Sequence, residues 1–162
     1  MTEIKKTVKH SQIEMVELVL PNDTNILGNL LGGRLMHWID IAAALAASRH
    51  SNTVAVTAAV DNLVFHKPIH LGNIVRLKAS VNRAFNTSME VGVRVEIEDI
   101  YSDNRTHSNS AYLTFVSVDA ASKKTIKVPE IIPESPEEIR RFNQALKRRE
   151  QRLSAKHGII QE

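Results

Sequence analysis

Residues Gly33 to Arg49 make a helical pattern that is apolar nearly all the way round and carries one carboxylate, Asp40, near its middle. At about 100° per residue, Leu35, Ile39, Ala42 and Ala46 form one face, Met36, Ala43 and Ala47 its shoulder, and Trp38, Ile41 and Leu45 much of the rest. Such a helix must be enclosed by other elements, so the rest of the chain has to wrap round it. Asp40 falls beside Met36, Ala43 and Ala47, where its ionised form loses hydration unless pairing, hydrogen bonds or an open cleft compensates. The bland alternative is a narrow wet stripe shared with His37 and Ser48. Gly32 and Gly33 open the helix without a Cβ, leaving N–H groups at its positive end free to meet a carbonyl or phosphate oxygen. Asp40 follows Gly33 by about two turns, roughly 10 Å along the axis, so only an extended substrate or a partner chain brings both to one cleft.

The 162 residues, 43% hydrophobic and 24% charged, suit a single domain over 1–162 with a real core. An aromatic content of 4% argues against a base-stacking nucleic-acid surface. The absence of cysteine removes disulfides, thiolate metal sites and a cysteine nucleophile together. Met1 to His10 carries Lys5, Lys6 and Lys9 with no apolar run after them, unlike a signal peptide, and no window approaches a membrane span. The expectation is a soluble, cytoplasmic protein with neither a nucleic-acid nor a membrane partner. Much of the formal +3 charge comes from Arg140, Arg141, Lys147, Arg148, Arg149, Arg152 and Lys156, a set that reads as a solvated helix face.

Ile13 to Leu20 reads as a strand running into a loop over Pro21 to Leu31. Thr53 to Phe65 is rich in Val and Ala, and Lys67-Pro68 with Gly72-Asn73 marks a turn. Ile74 to Phe85 alternates, with Val75, Leu77, Ala79 and Val81 set against Arg76, Lys78, Ser80 and Asn82. Met89 to Ile100 repeats the pattern, with Val91, Val93, Val95 and Ile97 against Glu90, Arg94, Glu96 and Glu98, while Gly92 interrupts the polar series. Ser110 to Val118 is a further strand of ambiguous facing. One long helix followed by a strand meander predicts an α+β fold. Ser135-Pro136-Glu137-Glu138 spells a capping box opening a last helix over about 135–156, with Ile139, Phe142, Leu146 and Leu153 as its apolar stripe.

His66 and His70 lack companions at ligand spacing, so no metal is expected. Gly28 to Gly33 has neither the P-loop lysine nor the dinucleotide fingerprint, and no serine lies in a nucleophile elbow. No cofactor is called for. What remains is Asp40, the glycine-opened helix, and polar groups able to position water or a carbonyl: Asn25, Asn29 and Thr57. Asn25 equally suits a turn, and Thr57 equally suits a strand filler.

These residues also carry a resemblance. Asp23-Thr24-Asn25 leading to Gly28 and Gly32-Gly33, then Asp40, then Thr57-Ala58-Ala59-Val60-Asp61 into Phe65-His66-Lys67-Pro68-Ile69, resembles the hotdog-fold acyl-CoA thioesterases. Ser88-Met89-Glu90-Val91, Phe115-Val116-Ser117-Val118 and Val128-Pro129 extend the likeness to the last helix. The most similar group is the cytosolic long-chain acyl-CoA hydrolases and their single-domain bacterial relatives.

The resemblance implies a curved antiparallel sheet wrapped round the long helix, plus a C-terminal helix. It also implies an enzyme that hydrolyses fatty acyl-CoA to a free fatty acid and CoA without a cofactor. Its implied assembly is a homodimer with active sites between subunits, commonly a trimer of dimers, which would cover open sheet edges. Asp40 then resembles the catalytic general base or nucleophile, Asn25 of the facing subunit the asparagine that completes the site, and Thr57 a supporting polar residue. The N–H groups at Gly32 and Gly33 would polarise the thioester carbonyl. Arg83, Asn86, Thr87 and Ser88 stand where relatives bind CoA, Lys67 suits a phosphate, and Leu30-Leu31 borders the acyl channel. Two rivals stay open: a hotdog dehydratase or hydratase using His37, one turn before Asp40, and a non-enzymatic acyl-CoA sensor.

Overall fold

The computed structural model describes residues 4–61 and 63–159. The long helix spans Gly32–Ser51 (α2), starting one residue earlier and ending two later than its apolar pattern. It follows a short strand Lys5–Thr7 (β1), a four-residue helix Val8–Ser11 (α1) and strand Ile13–Leu18 (β2). After it come Val54–Val60 (β3), Ile74–Ala84 (β4), Ser88–Glu98 (β5), Arg105–Val118 (β6), Glu130–Ile132 (β7) and the last helix Pro136–Ile159 (α3). Five strands form one antiparallel sheet in the order β2-β4-β5-β6-β3, and β1 pairs with β7 in a separate parallel ribbon. This curved sheet wrapping a long central helix is the α+β hotdog architecture.

The alternation in β4 and β5 decides which face meets α2. Val75, Leu77, Val81, Val91 and Val95 are fully buried and share one core with Leu35, Ile39, Ala42, Ala43, Ala46 and Ala47 of the helix. The alanines keep α2 slim enough for a curved sheet to close on it. In β6 the structure resolves the ambiguous facing: Ala111, Leu113, Phe115 and Ser117 point inward, and the strand begins at Arg105, earlier than its sequence pattern suggests. Register shifts in β3, β4 and the β5–β6 ladder add twist that helps the sheet curl.

The polar face of the sheet departs from expectation. Instead of facing water, Asn82 and Glu90 are buried there, at 3% and 1% exposure, because α3 lies over them. Arg148 of α3 reaches Glu90 with both Nε and Nη2, at 3.0 and 2.7 Å, and stacks on the Tyr112 ring at 3.7 Å. Asn82 Nδ2 donates to the same carboxylate at 3.0 Å. Burial works against the Arg148 charge, but the hydrogen bonds and attraction of Glu90 outweigh it and hold its pKa above the usual range. Gly92 makes room for this arrangement, since a Cβ there would lie 2.8 Å from Asn82 Nδ2.

The apolar stripe expected on α3 is likewise displaced. Ile139 and Leu153 are exposed, whereas Ala145 is fully buried and Phe142 packs against the core with the Arg83 guanidinium 3.9 Å above its ring. Arg148, Arg149 and Arg152 therefore turn toward the sheet, their long stems supplying the contact. The capping box forms as expected: Glu138 N–H donates to Ser135 Oγ at 3.2 Å, and Glu138 Oε2 accepts the Ser135 N–H at 3.2 Å.

Candidate active site

Asp40 sits half-buried on α2 and faces β3. Ala55 and Thr57 lie on the α2 side of that strand, and Thr57 Oγ1 donates to Asp40 Oδ1 at 2.7 Å. Thr57 is therefore more than a strand filler, because its hydroxyl fixes the carboxylate. No cation pairs with Asp40 among the described residues, and Oδ2 has no protein donor there, so one oxygen keeps its hydrogen-bond acceptor sites open. His37 is exposed and shares no hydrogen bond with Asp40, so the acid and imidazole that a dehydratase would pair are not joined.

The start of α2 is bare. Leu31 occupies the N-cap and offers no side-chain acceptor, while the first turn closes through Arg34 N–H and Leu35 N–H to Leu31 O. The N–H groups of Gly32 and Gly33 have no acceptor among the described residues. A Cβ at Gly33 would meet nothing within 4 Å, so that position opens outward, whereas one at Gly32 would lie 3.4 Å from the Phe65 ring. The positive end of a 20-residue helix thus presents N–H groups that have no side-chain cap.

Asn25 belongs to the loop before these glycines. Its Oδ1 accepts the N–H groups of Leu27 and Asn29, at 3.0 and 3.2 Å, so the turn-forming reading holds. Nδ2 has no acceptor among the described residues and the side chain is exposed. The loop is pinned by Asn29 to His70 Nδ1 at 2.9 Å and by Asp23, whose carboxylate accepts Leu20 N–H and pairs with Arg34. Asn25 thus stands with Gly32 and Gly33 at one end of α2, while Asp40 and Thr57 stand together further along it.

The candidate CoA residues occupy a third place. Asn86 and Thr87 form the β4–β5 turn and Ser88 begins β5, with Thr87 O accepting Ser117 N–H and Asn86 O accepting Val128 N–H. This turn lies by the C-terminal end of α2, since β3 starts there and pairs with the end of β6. Arg83 is engaged internally, donating to Phe142 O at 3.2 Å, and burial lowers its pKa. Lys67 is exposed on the segment after β3. A cleft of about 430 Å³ opens on the other face of the sheet, over Lys78, Ser80, Arg94 and Tyr112, and includes none of the candidate site residues.

The Thioesterase superfamily matches residues 27–102. Mouse acyl-coenzyme A thioesterase 11 is 42% identical over 143 residues, 88% of this chain and 24% of that protein. The chain thus spans about a quarter of that relative's length. The uncharacterized acyl-CoA thioester hydrolase YkhA of Bacillus subtilis is 37% identical over 148 residues, covering 91% of this chain and 86% of the relative. The chain belongs to the hotdog-fold acyl-CoA thioesterases. An acyl-CoA hydrolase of Staphylococcus aureus, solved with butyryl-CoA, CoA and CoA disulfide, superposes with a TM-score of 0.89 at 34% identity, covering 97% of this chain and 95% of the other. Alanine variants of that hydrolase at an aspartate, an asparagine and a threonine are also solved, and hexameric thioesterases are among the similar structures.

Among the described residues of this thioesterase family member, no helix is long and apolar enough to cross a membrane, and no cluster of three or more His, Asp or Glu side chains is placed to hold a metal ion.

Proposed function

We propose that this chain hydrolyses fatty acyl-CoA to a free fatty acid and CoA, acting in the cytoplasm as one hotdog domain over 1–162. The observation that carries the mechanism is the Asp40–Thr57 pair on an open sheet edge, set apart from the bare N–H groups of Gly32 and Gly33. In this reading the thioester carbonyl oxygen accepts those N–H groups, which stabilise the oxyanion as the carbonyl carbon becomes tetrahedral. Asp40 either takes a proton from the attacking water or attacks the carbon itself to form a mixed anhydride that water then opens. CoA leaves as the thiolate and is protonated to the thiol.

Sequence intervals support these roles. The aspartate, asparagine and threonine replaced in the solved Staphylococcus aureus variants are spaced as Asp40, Asn25 and Thr57 are here.

The two halves belong to different subunits in this reading. Gly33 and Asp40 of one chain lie roughly 10 Å apart along the axis, too far for one thioester group to touch both. β3 is an edge strand of the sheet, with Val54 and Val56 exposed on its outer face, and pairing with a second copy would cover its free backbone edge. A two-fold pairing of these edges sets the glycines and Asn25 of one chain opposite Asp40 and Thr57 of the other. Dimers of this kind would assemble as a trimer of dimers. The acyl-CoA then lies along the subunit boundary, where Arg83, Asn86, Thr87 and Ser88 from one end and Lys67 from the other serve as contacts for CoA.

Two measurements test this. Thiol release assayed across acyl-CoA chain lengths should rise on addition of the protein with no gain in double-bond absorbance, and absorbance without free thiol would install the dehydratase instead. Mixing inactive Asn25→Ala and Asp40→Ala proteins under proven subunit exchange should restore part of the activity, because a heterodimer keeps one intact site. No rescue would place both residues in a single subunit's site.

A further inference from the structure

We infer that Phe65 is the residue that sets tolerance for bulk next to the thioester carbonyl, its ring forming the wall beside the acyl group's first carbons. The inference rests on the hydrolase reading above. A Cβ built on Gly32 would lie 3.4 Å from both Cε2 and Cζ of Phe65, whereas one on Gly33 would meet nothing within 4 Å. The ring therefore closes one side of the helix opening and leaves the other free. An oxygen accepting the N–H groups of this turn has the ring as its neighbour on the closed side.

The ring is held there by its backbone. Residues 61 and 63–69 contain no helix or strand, yet they are fastened at several points. Asp61 N–H donates to Tyr112 O at 2.9 Å, and its carboxylate accepts Arg152 Nη1 at 3.1 and 3.3 Å. Val64 O accepts Asn109 Nδ2 from β6, and Ile69 is buried with its carbonyl accepting Leu30 N–H at 2.7 Å. Even so, Phe65 remains 50% exposed, with Val64 at 56% and Leu31 at 42% beside the same opening. A fastened aromatic ring left half in water is apolar surface awaiting a partner. Hydrogen-bond donors on one side and an apolar wall on the other match the two parts of an acyl thioester, the carbonyl and the carbon chain.

The carbon nearest the carbonyl is the one such a wall would feel, so the discriminating substrates are straight-chain butyryl-CoA and α-branched isobutyryl-CoA. Thiol release measured for both should show that wild type favours the straight chain. Phe65→Ala should raise the relative kcat/KM for isobutyryl-CoA by about tenfold, the scale on which one methylene is discriminated in an apolar pocket, and Phe65→Trp should lower it. Should the alanine variant fail to fold, Phe65→Leu keeps most of the bulk, and Gly32→Ala narrows the same space from the helix side and should act in the direction of Phe65→Trp. Light scattering on the same samples should report an unchanged oligomer. Equal loss on both substrates, or an unchanged ratio with a fallen molecular mass, would overturn the inference and make the ring a subunit contact, while the hydrolase reading stands. Wild type that releases no thiol from straight-chain acyl-CoA of any length would overturn both, and activity confined to longer chains moves the same comparison to the straight and α-methyl-branched acyl-CoA of that length.

Discussion

Asp40 and Glu90 are both acids placed among apolar neighbours, and they are held in opposite ways. Glu90 is 1% exposed and saturated: Arg148 grips it with two nitrogens, Asn82 adds a third hydrogen bond, and α3 seals the group from water. Asp40 is half-buried, receives one hydroxyl from Thr57, and faces an edge where a second chain or a substrate can reach it. A carboxylate whose acceptor sites are all filled by fixed donors is part of the scaffold. One left with open hydrogen-bonding capacity at an uncovered sheet edge can meet a group from outside. Burial alone would have picked Glu90, and unused hydrogen-bonding capacity picks Asp40.

This contrast predicts that the two acids fail differently when neutralised. Asp40→Asn should lower turnover by about two to four orders of magnitude while the melting temperature stays near that of wild type. A folded variant with near-native hydrolysis would erase the distinction. Gly33→Val places its Cβ where nothing stands within 4 Å, so it should melt close to wild type. Blocking the oxyanion's approach should nevertheless cost turnover by about a hundred- to thousandfold. Lower stability with native turnover would make the glycine merely structural.

Glu90→Gln should do the reverse. Leaving Arg148 without its counter-charge should cost about 3 kcal/mol of stability, read by denaturant titration, with kcat of the remaining folded protein close to native. Thr57→Val removes a single donor to a charged group and should reduce turnover by about ten- to hundredfold, an effect that Thr57→Ser should largely restore.

The smallest effect concerns pH. His50 is fully buried, with Nε2 2.7 Å from Pro129 O and Nδ1 lacking a partner among the described residues, and desolvation lowers its pKa despite the raising influence of that carbonyl. The unfolded chain thus takes up this proton first, and folded stability should decline as pH falls below the ordinary value of 6.5, levelling once the native imidazole also protonates. Melting curves of His50→Gln should flatten that slope.

The difference between the two acids also explains what the sequence could reveal. Asp40 was legible because its apolar neighbours lie within two turns on the same helix, and α2, β4 and β5 were legible through their periodicity. Glu90 looked like an ordinary outward residue of an alternating strand because its partner Arg148 is 58 positions away. The docking face of α3 is hidden for a related reason: of its apolar stripe Phe142 packs on the core while Ile139 and Leu153 stay exposed, and arginine stems supply contacts that an apolar pattern does not mark. β1 and β7 are three residues each and carry no usable period. In the site, Thr57 and Asn25 stand out only weakly as isolated polar groups, and a longer motif gives them their roles, since the Thr57–Asp40 bond depends on how β3 is placed against the helix.

The β1–β7 ribbon bears on how the chain reaches this structure. Lys5 pairs with Glu130 and Thr7 with Ile132, so the first described strand has to wait for one near the far end of the chain. Bringing such distant segments together carries a large loop-closure entropy, and parallel pairing gives no local hairpin from which to start. The ribbon thus ties the first described strand to the segment that leads into α3, and whatever opens it loosens both at once.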